Sequence, residues 1–94
     1  MLECEVEKHL CDAIWANNGV ERKIVYPGRR GCTDRLVGFS SNRLFLVETK
    51  RPKGGRISAH QEQNAKDWAA VGVEVVFLWS IPEVNRWIAR VRCS

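Results

Sequence analysis

The chain's 94 residues, with an apolar fraction of 45% and a charged fraction of 28%, suffice for one hydrophobic core but not two. A disordered chain and a multidomain enzyme are both excluded, and residues 1–94 are expected to form a single domain. The net charge of +4 favours an acidic partner, and it is segregated: five Asp/Glu and one Lys stand in the first 21 residues, but ten Lys/Arg and only two acids, Asp34 and Glu48, lie between Arg22 and Arg56.

The opening Met1-Leu2-Glu3-Cys4-Glu5 is acidic where a signal peptide would be basic and then apolar, and no stretch approaches membrane-spanning length. A cytoplasmic protein with no membrane partner is therefore expected. Val6, Leu10, Ala13 and Ile14 recur at helical spacing and predict a helix over Leu2–Asn17, stopped by Asn18-Gly19. Trp15 lies off its main stripe, where core or partial burial is expected and an interface role is the alternative, and His9 falls on its solvent side and is expected to be inert. Cys4, Cys11, Cys32 and Cys93 contain no CxxC pair, so reduced, mostly packed thiols are expected.

The β-branched run Arg22–Tyr26 predicts a strand ended by Pro27-Gly28, and a basic loop follows through Thr33. Asp34–Ser40 and Arg43–Lys50 read as a hairpin with a two-residue turn at Ser41-Asn42. The second of these runs is apolar on both faces, as a central strand covered on both sides would be. A Gly- and cation-rich loop, Arg51–Ile57, leads to a helix over Ser58–Val71 closing at Gly72. Val73–Trp79 reads as an apolar strand, and Pro82, at a first helical position, opens a last helix carrying Val84, Trp87, Ile88 and Val91. Trp68, Trp79 and Trp87 have core periodicity. The expected fold is α/β (α+β), in the order α-β-β-β-α-β-α, with a mixed sheet between helices.

Side chains alternate along a strand, so Glu48 and Lys50 project from one face, and the hairpin brings the start of its first strand, Asp34, near them. Two carboxylates in a basic field suit a divalent cation such as Mg²⁺ held against phosphate, with Lys50 orienting the water or stabilising developing charge. That pattern points to a nuclease. Taken alone, the E-x-K spacing fits a simple same-face ion pair. Likewise Ser58-x-x-Gln61 is a capping box, although Ala65 and Trp68 on the same stripe would carry Gln61 toward the sheet. Arg29, Arg30, Arg51, Lys53 and Arg56 sit in the two loops beside the proposed site, as solvated surface or as phosphate contacts, with Lys23 and Arg35 weaker candidates of the same kind. His60 is expected to be exposed and not to serve as a base.

Gly31-Cys32-Thr33-Asp34-Arg35-Leu36, then Phe45-Leu46-Val47-Glu48-Thr49-Lys50-Arg51-Pro52, then Ser58-Ala59-His60-Gln61 resembles the virus-type replication-repair nuclease (VRR-NUC) domain, a branch of the PD-(D/E)XK nuclease superfamily with a restriction-endonuclease-like core. The resemblance covers nearly the whole chain, including Leu2-Glu3-Cys4-Glu5-Val6-Glu7, which is similar to the family's acidic first helix. It departs at Thr33, where the family usually has proline; that loosens the loop but removes no ligand. The resemblance implies a Mg²⁺- or Mn²⁺-dependent phosphodiesterase acting on DNA with no small-molecule cofactor. It implies a triad of Asp34, Glu48 and Lys50, joined by Gln61 and by a helix-1 glutamate. Glu7 is preferred for that glutamate by its spacing to Leu10, Ile14 and Asn18-Gly19, and Glu3 is the alternative. Single-domain members of this size look like phage or bacterial proteins that act as homodimers on branched DNA such as four-way (Holliday) junctions. The last helix and the exposed face of the first are candidate interfaces. A flap or restriction-type endonuclease and a catalytically idle DNA-binding module are the rival readings.

Overall fold

The computed structural model describes residues 2–24 and 35–92. Its elements are α1 (Glu3–Ala16), β1 (Val20–Lys23), β2 (Arg35–Phe39), β3 (Arg43–Thr49), α2 (Ala59–Ala70), β4 (Glu74–Leu78) and α3 (Ile81–Arg92). The order and type of elements follow the expected series, and the strands form one mixed sheet in the order β1-β2-β3-β4. β1, β2 and β3 are antiparallel neighbours, whereas β4 runs parallel to β3, a pairing that the α2 crossover makes possible.

Strand β3 is central, as its two apolar faces predict. Phe45, Val47 and Val37 face α1 and α3, and they join Val6, Leu10, Ile14, Val76, Leu78, Val84, Trp87, Ile88 and Val91 in one core. Phe39, Phe45 and Trp87 meet edge to face, with the Phe45 and Trp87 centroids 5.3 Å apart. The other face is covered only in part. Helix α2 buries Asn64 there, while Leu44 remains 54% exposed.

Several local expectations are corrected. Phe39 pairs with Arg43, so the hairpin connection is three residues, 40–42, not two. Ser41 and Asn42 both take positive φ within it, and the change moves the ladder by one residue relative to a two-residue turn. Strand β1 begins at Val20, earlier than predicted, and residues 25–34 lie outside the described residues. Asn18 supplies the left-handed residue that ends α1 (φ 62°). Gly19 has a different duty, because a Cβ there would stand 2.7 Å from the Phe39 ring and 2.8 Å from Ile14. Helix α3 starts at Ile81, and Ser80 caps it by accepting from the Glu83 amide at 3.3 Å.

Trp68 is not a core residue, being 37% exposed, and Trp15 is 50% exposed. A one-face stripe does not by itself guarantee a neighbour to cover it. His9 is not idle, since its ring Nε2 lies 2.7 Å from Asn85 Oδ1 and ties α1 to α3. Cys4 is an exposed free thiol and Cys11 a half-buried one, with burial pushing the Cys11 thiol up; Cys32 and Cys93 lie outside the described residues. Among the described residues no helix is long and apolar enough to cross a membrane.

Candidate active site

Glu48, Lys50 and Gln61 come together at the end of the central strand. Alternation places Glu48 and Lys50 on the α2 face, and the Lys50 amide prolongs the parallel ladder by donating to Leu78 O at 2.8 Å. Lys50 Nζ lies 3.0 Å from Glu48 Oε2, so the ion pair that the bare E-x-K spacing favours is formed. Gln61 completes the group: its Nε2 donates to Glu48 Oε2, and its Oε1 accepts from Lys50 Nζ at 2.6 Å.

The capping box is also present, and it uses the same side chain. Ser58 Oγ accepts from the Gln61 amide at 3.1 Å, while Gln61 Oε1 accepts from the Ser58 amide at 3.0 Å. Capping and contact with the cluster are thus one arrangement, in which the start of α2 fixes a glutamine that bridges acid and base. Glu48 and Lys50 retain only 15% and 14% side-chain exposure. Their mutual attraction is therefore stronger than that of a surface pair.

The loop after Lys50 is built tightly. A Cβ on Gly55 would lie 2.6 Å from Arg51 O and 2.8 Å from Arg51 N, so only glycine lets this loop turn back on itself. Trp79 Nε1 then donates to Gly55 O at 2.9 Å and pins the loop to the end of β4. Arg51, Lys53 and Arg56 are exposed on it, and His60 is exposed at the start of α2. Lys23 is exposed on the edge strand β1. Asp34, Arg29 and Arg30 lie outside the described residues. Among the described residues no three His, Cys, Asp or Glu side chains cluster as a metal site would require.

Glu7 is held elsewhere, on the α1 face. Its Oε1 lies 3.4 Å from Arg35 Nη2, and Arg35 also pairs with Glu21 of β1. Glu3 is exposed at the first turn of α1. The seam around Arg35 was missed by the sequence reading, which weighed Arg35 only as a weaker candidate for a phosphate contact. Its one available signal was the stripe Glu7, Cys11 and Trp15, which runs beside the apolar stripe Val6, Leu10 and Ile14.

Within that seam the Trp15 indole, donating to Glu21 Oε2 at 3.0 Å, and then the Arg35 guanidinium hold the Glu21 carboxyl below the ordinary carboxylate range, against the opposing push of burial. A carboxyl that binds protons less readily when folded contributes stability that is complete above its unfolded value, about pH 4.3. That contribution is lost as pH falls through the lower folded value. Glu21→Gln is accordingly expected to flatten the acid limb of the stability profile, seen as a smaller drop in urea midpoint between about pH 6 and about pH 3 than in the wild type.

A mixed sheet with helices on both faces, carrying an acid, a lysine and a glutamine at the end of its central strand, defines a nuclease-type α+β domain. No protein-family model matches the chain. The chain is, however, 35% identical over 89 residues to "Putative nuclease p44" of Acyrthosiphon pisum secondary endosymbiont phage 1, a match spanning 88% of this chain and 95% of that one. A solved structure described as a VRR_NUC domain superposes with a TM-score of 0.85 at 28% identity, covering 93% of this chain and 94% of the other. The chain belongs to the VRR-NUC nuclease family.

Proposed function

We propose that residues 1–94 form one structure-specific DNA endonuclease domain that depends on Mg²⁺ or Mn²⁺ and cuts branched DNA such as four-way junctions as a homodimer in the cytoplasm. The observation that carries this is the Glu48–Gln61–Lys50 cluster at the root of a loop bearing Arg51, Lys53 and Arg56. The donor set suits a hard cation. Glu48 offers carboxylate oxygens on a rigid strand, and Asp34 directly precedes Arg35, whose partner Val47 directly precedes Glu48. Asp34 and Glu48 would hold the ion, with Glu7 or Glu3 as a further carboxylate. When bound, the ion would lower the pKa of a coordinated water and neutralise phosphate charge.

Lys50 holds a proton-rich ammonium beside Glu48, fitted to orient water or to meet charge developing on phosphate. Gln61 bridges that ammonium and carboxylate, accepting from the one and donating to the other. The loop cations Arg51, Lys53 and Arg56, together with Arg29, Arg30 and Lys23, supply phosphate contacts that carry no base sequence. The homodimer is supported by an apolar groove of about 220 Å³ on the α2 face, lined by Ile24, Leu36, Leu44, Leu46, Trp68 and Val73. It joins the two candidate interfaces expected from the sequence, the last helix and the exposed face of the first, and on the last helix Val84, Trp87, Ile88 and Val91 are spent in the core. A two-fold dimer would present the two sites that paired nicks require.

The closed ion pair favours one rival reading, a structural cluster on a DNA-binding module. Asp34→Ala separates the two. On the nuclease reading it retains junction affinity in Ca²⁺ and loses cleavage in Mg²⁺. If the wild type cuts none of a panel of duplex, flap, splayed and four-way DNA, the binding module is the better description, and sedimentation of the same samples tests the dimer.

A further inference from the structure

We infer that Trp79 is a positioning residue for DNA binding, a strut that holds the loop bearing Arg51, Lys53 and Arg56 in one shape against the sheet; the inference rests on the reading above that these cations meet phosphate. The loop leaves β3 directly after Lys50, whose amide donates to Leu78 O at 2.8 Å. Trp79 follows Leu78 in the chain, so the root of the loop and the indole that meets it start from the same rung of the sheet.

A loop with two adjacent glycines has a backbone free to take many shapes unless something outside it intervenes. Two features restrict this one. Gly55 lies so close over the start of the loop that a Cβ there would stand 2.6 Å from Arg51 O and 3.1 Å from Lys50 Cβ. Trp79 Nε1 donates to the carbonyl of that same glycine at 2.9 Å. The indole is itself held: it is half-buried, its ring centroid lies 6.4 Å from that of Phe77, and Phe77 pairs with Glu48 in the parallel ladder. One hydrogen bond thus carries the rigidity of the sheet beside Glu48 to the far side of the loop.

The exposed Arg51, Lys53 and Arg56 lie on both sides of Gly55 in the chain. On a loose loop their backbone would have to be ordered each time phosphate binds, and that entropy is subtracted from the affinity. A loop fixed beforehand avoids the loss. The ligand suited to cations held in one frame is a nucleic-acid backbone, met through its phosphates and not through base edges.

The test is binding of a four-way junction in Ca²⁺ across a range of salt concentrations, with urea unfolding of each variant. Trp79→Phe is compared in the wild type and in a background whose loop is neutralised by Arg51→Gln, Lys53→Gln and Arg56→Gln. Phenylalanine keeps an aromatic ring beside Phe77 and removes the N–H. The expected result for Trp79→Phe is an affinity about fivefold lower with an unchanged slope of log affinity against log salt, because no cation has been removed. Neutralising the loop should reduce that slope by about two to three and make Trp79→Phe silent. Should Trp79→Phe fail to fold, Trp79→benzothienylalanine, which keeps the double ring and puts sulfur in place of the N–H, is expected to give the same result. Wild-type affinity in these variants, an equal loss in both backgrounds, or a neutralised loop with wild-type salt dependence would overturn the inference while leaving the nuclease reading intact. A wild type that binds the junction but cuts no DNA would overturn the nuclease reading and leave the inference standing.

Discussion

Glu48→Gln is expected to reduce DNA cleavage by about 10³-fold, some 4 kcal/mol of transition-state stabilisation, with little change in affinity for the same DNA in Ca²⁺. The substitution keeps the size and shape of the side chain but removes its negative charge. Two consequences should follow. A hard cation bound as proposed would lose its charged oxygen ligand on the central strand, and the Lys50 ammonium, 3.0 Å away, loses the anion that balances it. Gln61 still meets Lys50 at 2.6 Å, so the strand end should keep its geometry and the variant should fold, with a lower urea midpoint because a largely buried ammonium has lost its anion. The checks are single-turnover cleavage against metal concentration and a urea unfolding curve. A variant that folds normally and still cuts within about threefold of wild type would show that Glu48 is only a structural partner of Lys50.

Trp87→Ala is the substitution expected to cost most in stability, about 3–5 kcal/mol. That is a large share of the roughly 5–15 kcal/mol that holds a small domain folded. Trp87 is 5% exposed and stands edge-on to both Phe39 and Phe45. Removing the indole therefore empties the junction between α3 and the sheet. Its Nε1 is buried without a partner among the described residues, so Trp87→Phe keeps an aromatic ring and discards an unmet donor, whose burial costs about 1–3 kcal/mol. The phenylalanine variant should consequently unfold at a urea midpoint much nearer the wild type than the alanine variant. Equal losses in the two would mean that the indole nitrogen is satisfied in solution.

Elements whose signal is local could be read without coordinates. The helical stripe Val6, Leu10 and Ile14, the two apolar faces of Arg43–Thr49 and the capping pair Ser58 and Gln61 each state their structure within a few residues. Glu48 and Lys50 share a face for the same reason, because strand alternation is a property of the backbone. The hairpin was harder. Ser41-Asn42 marks a turn, but its length depends on both residues taking positive φ and on which apolar side chains of β2 and β3 must face the core together.

Sequence alone thus determined the order of elements and the charge segregation, and it singled out Glu48, Lys50 and Gln61, since these follow from side-chain type and period. Only the tertiary structure decided that one glutamine both caps α2 and bridges Glu48 to Lys50, and that Arg35 is buried between acids from α1 and β1. It also left Trp68 uncovered beside an apolar groove. Periodicity says which face of an element is apolar or charged. Which distant residue meets that face, and whether any does, is set by how the elements pack.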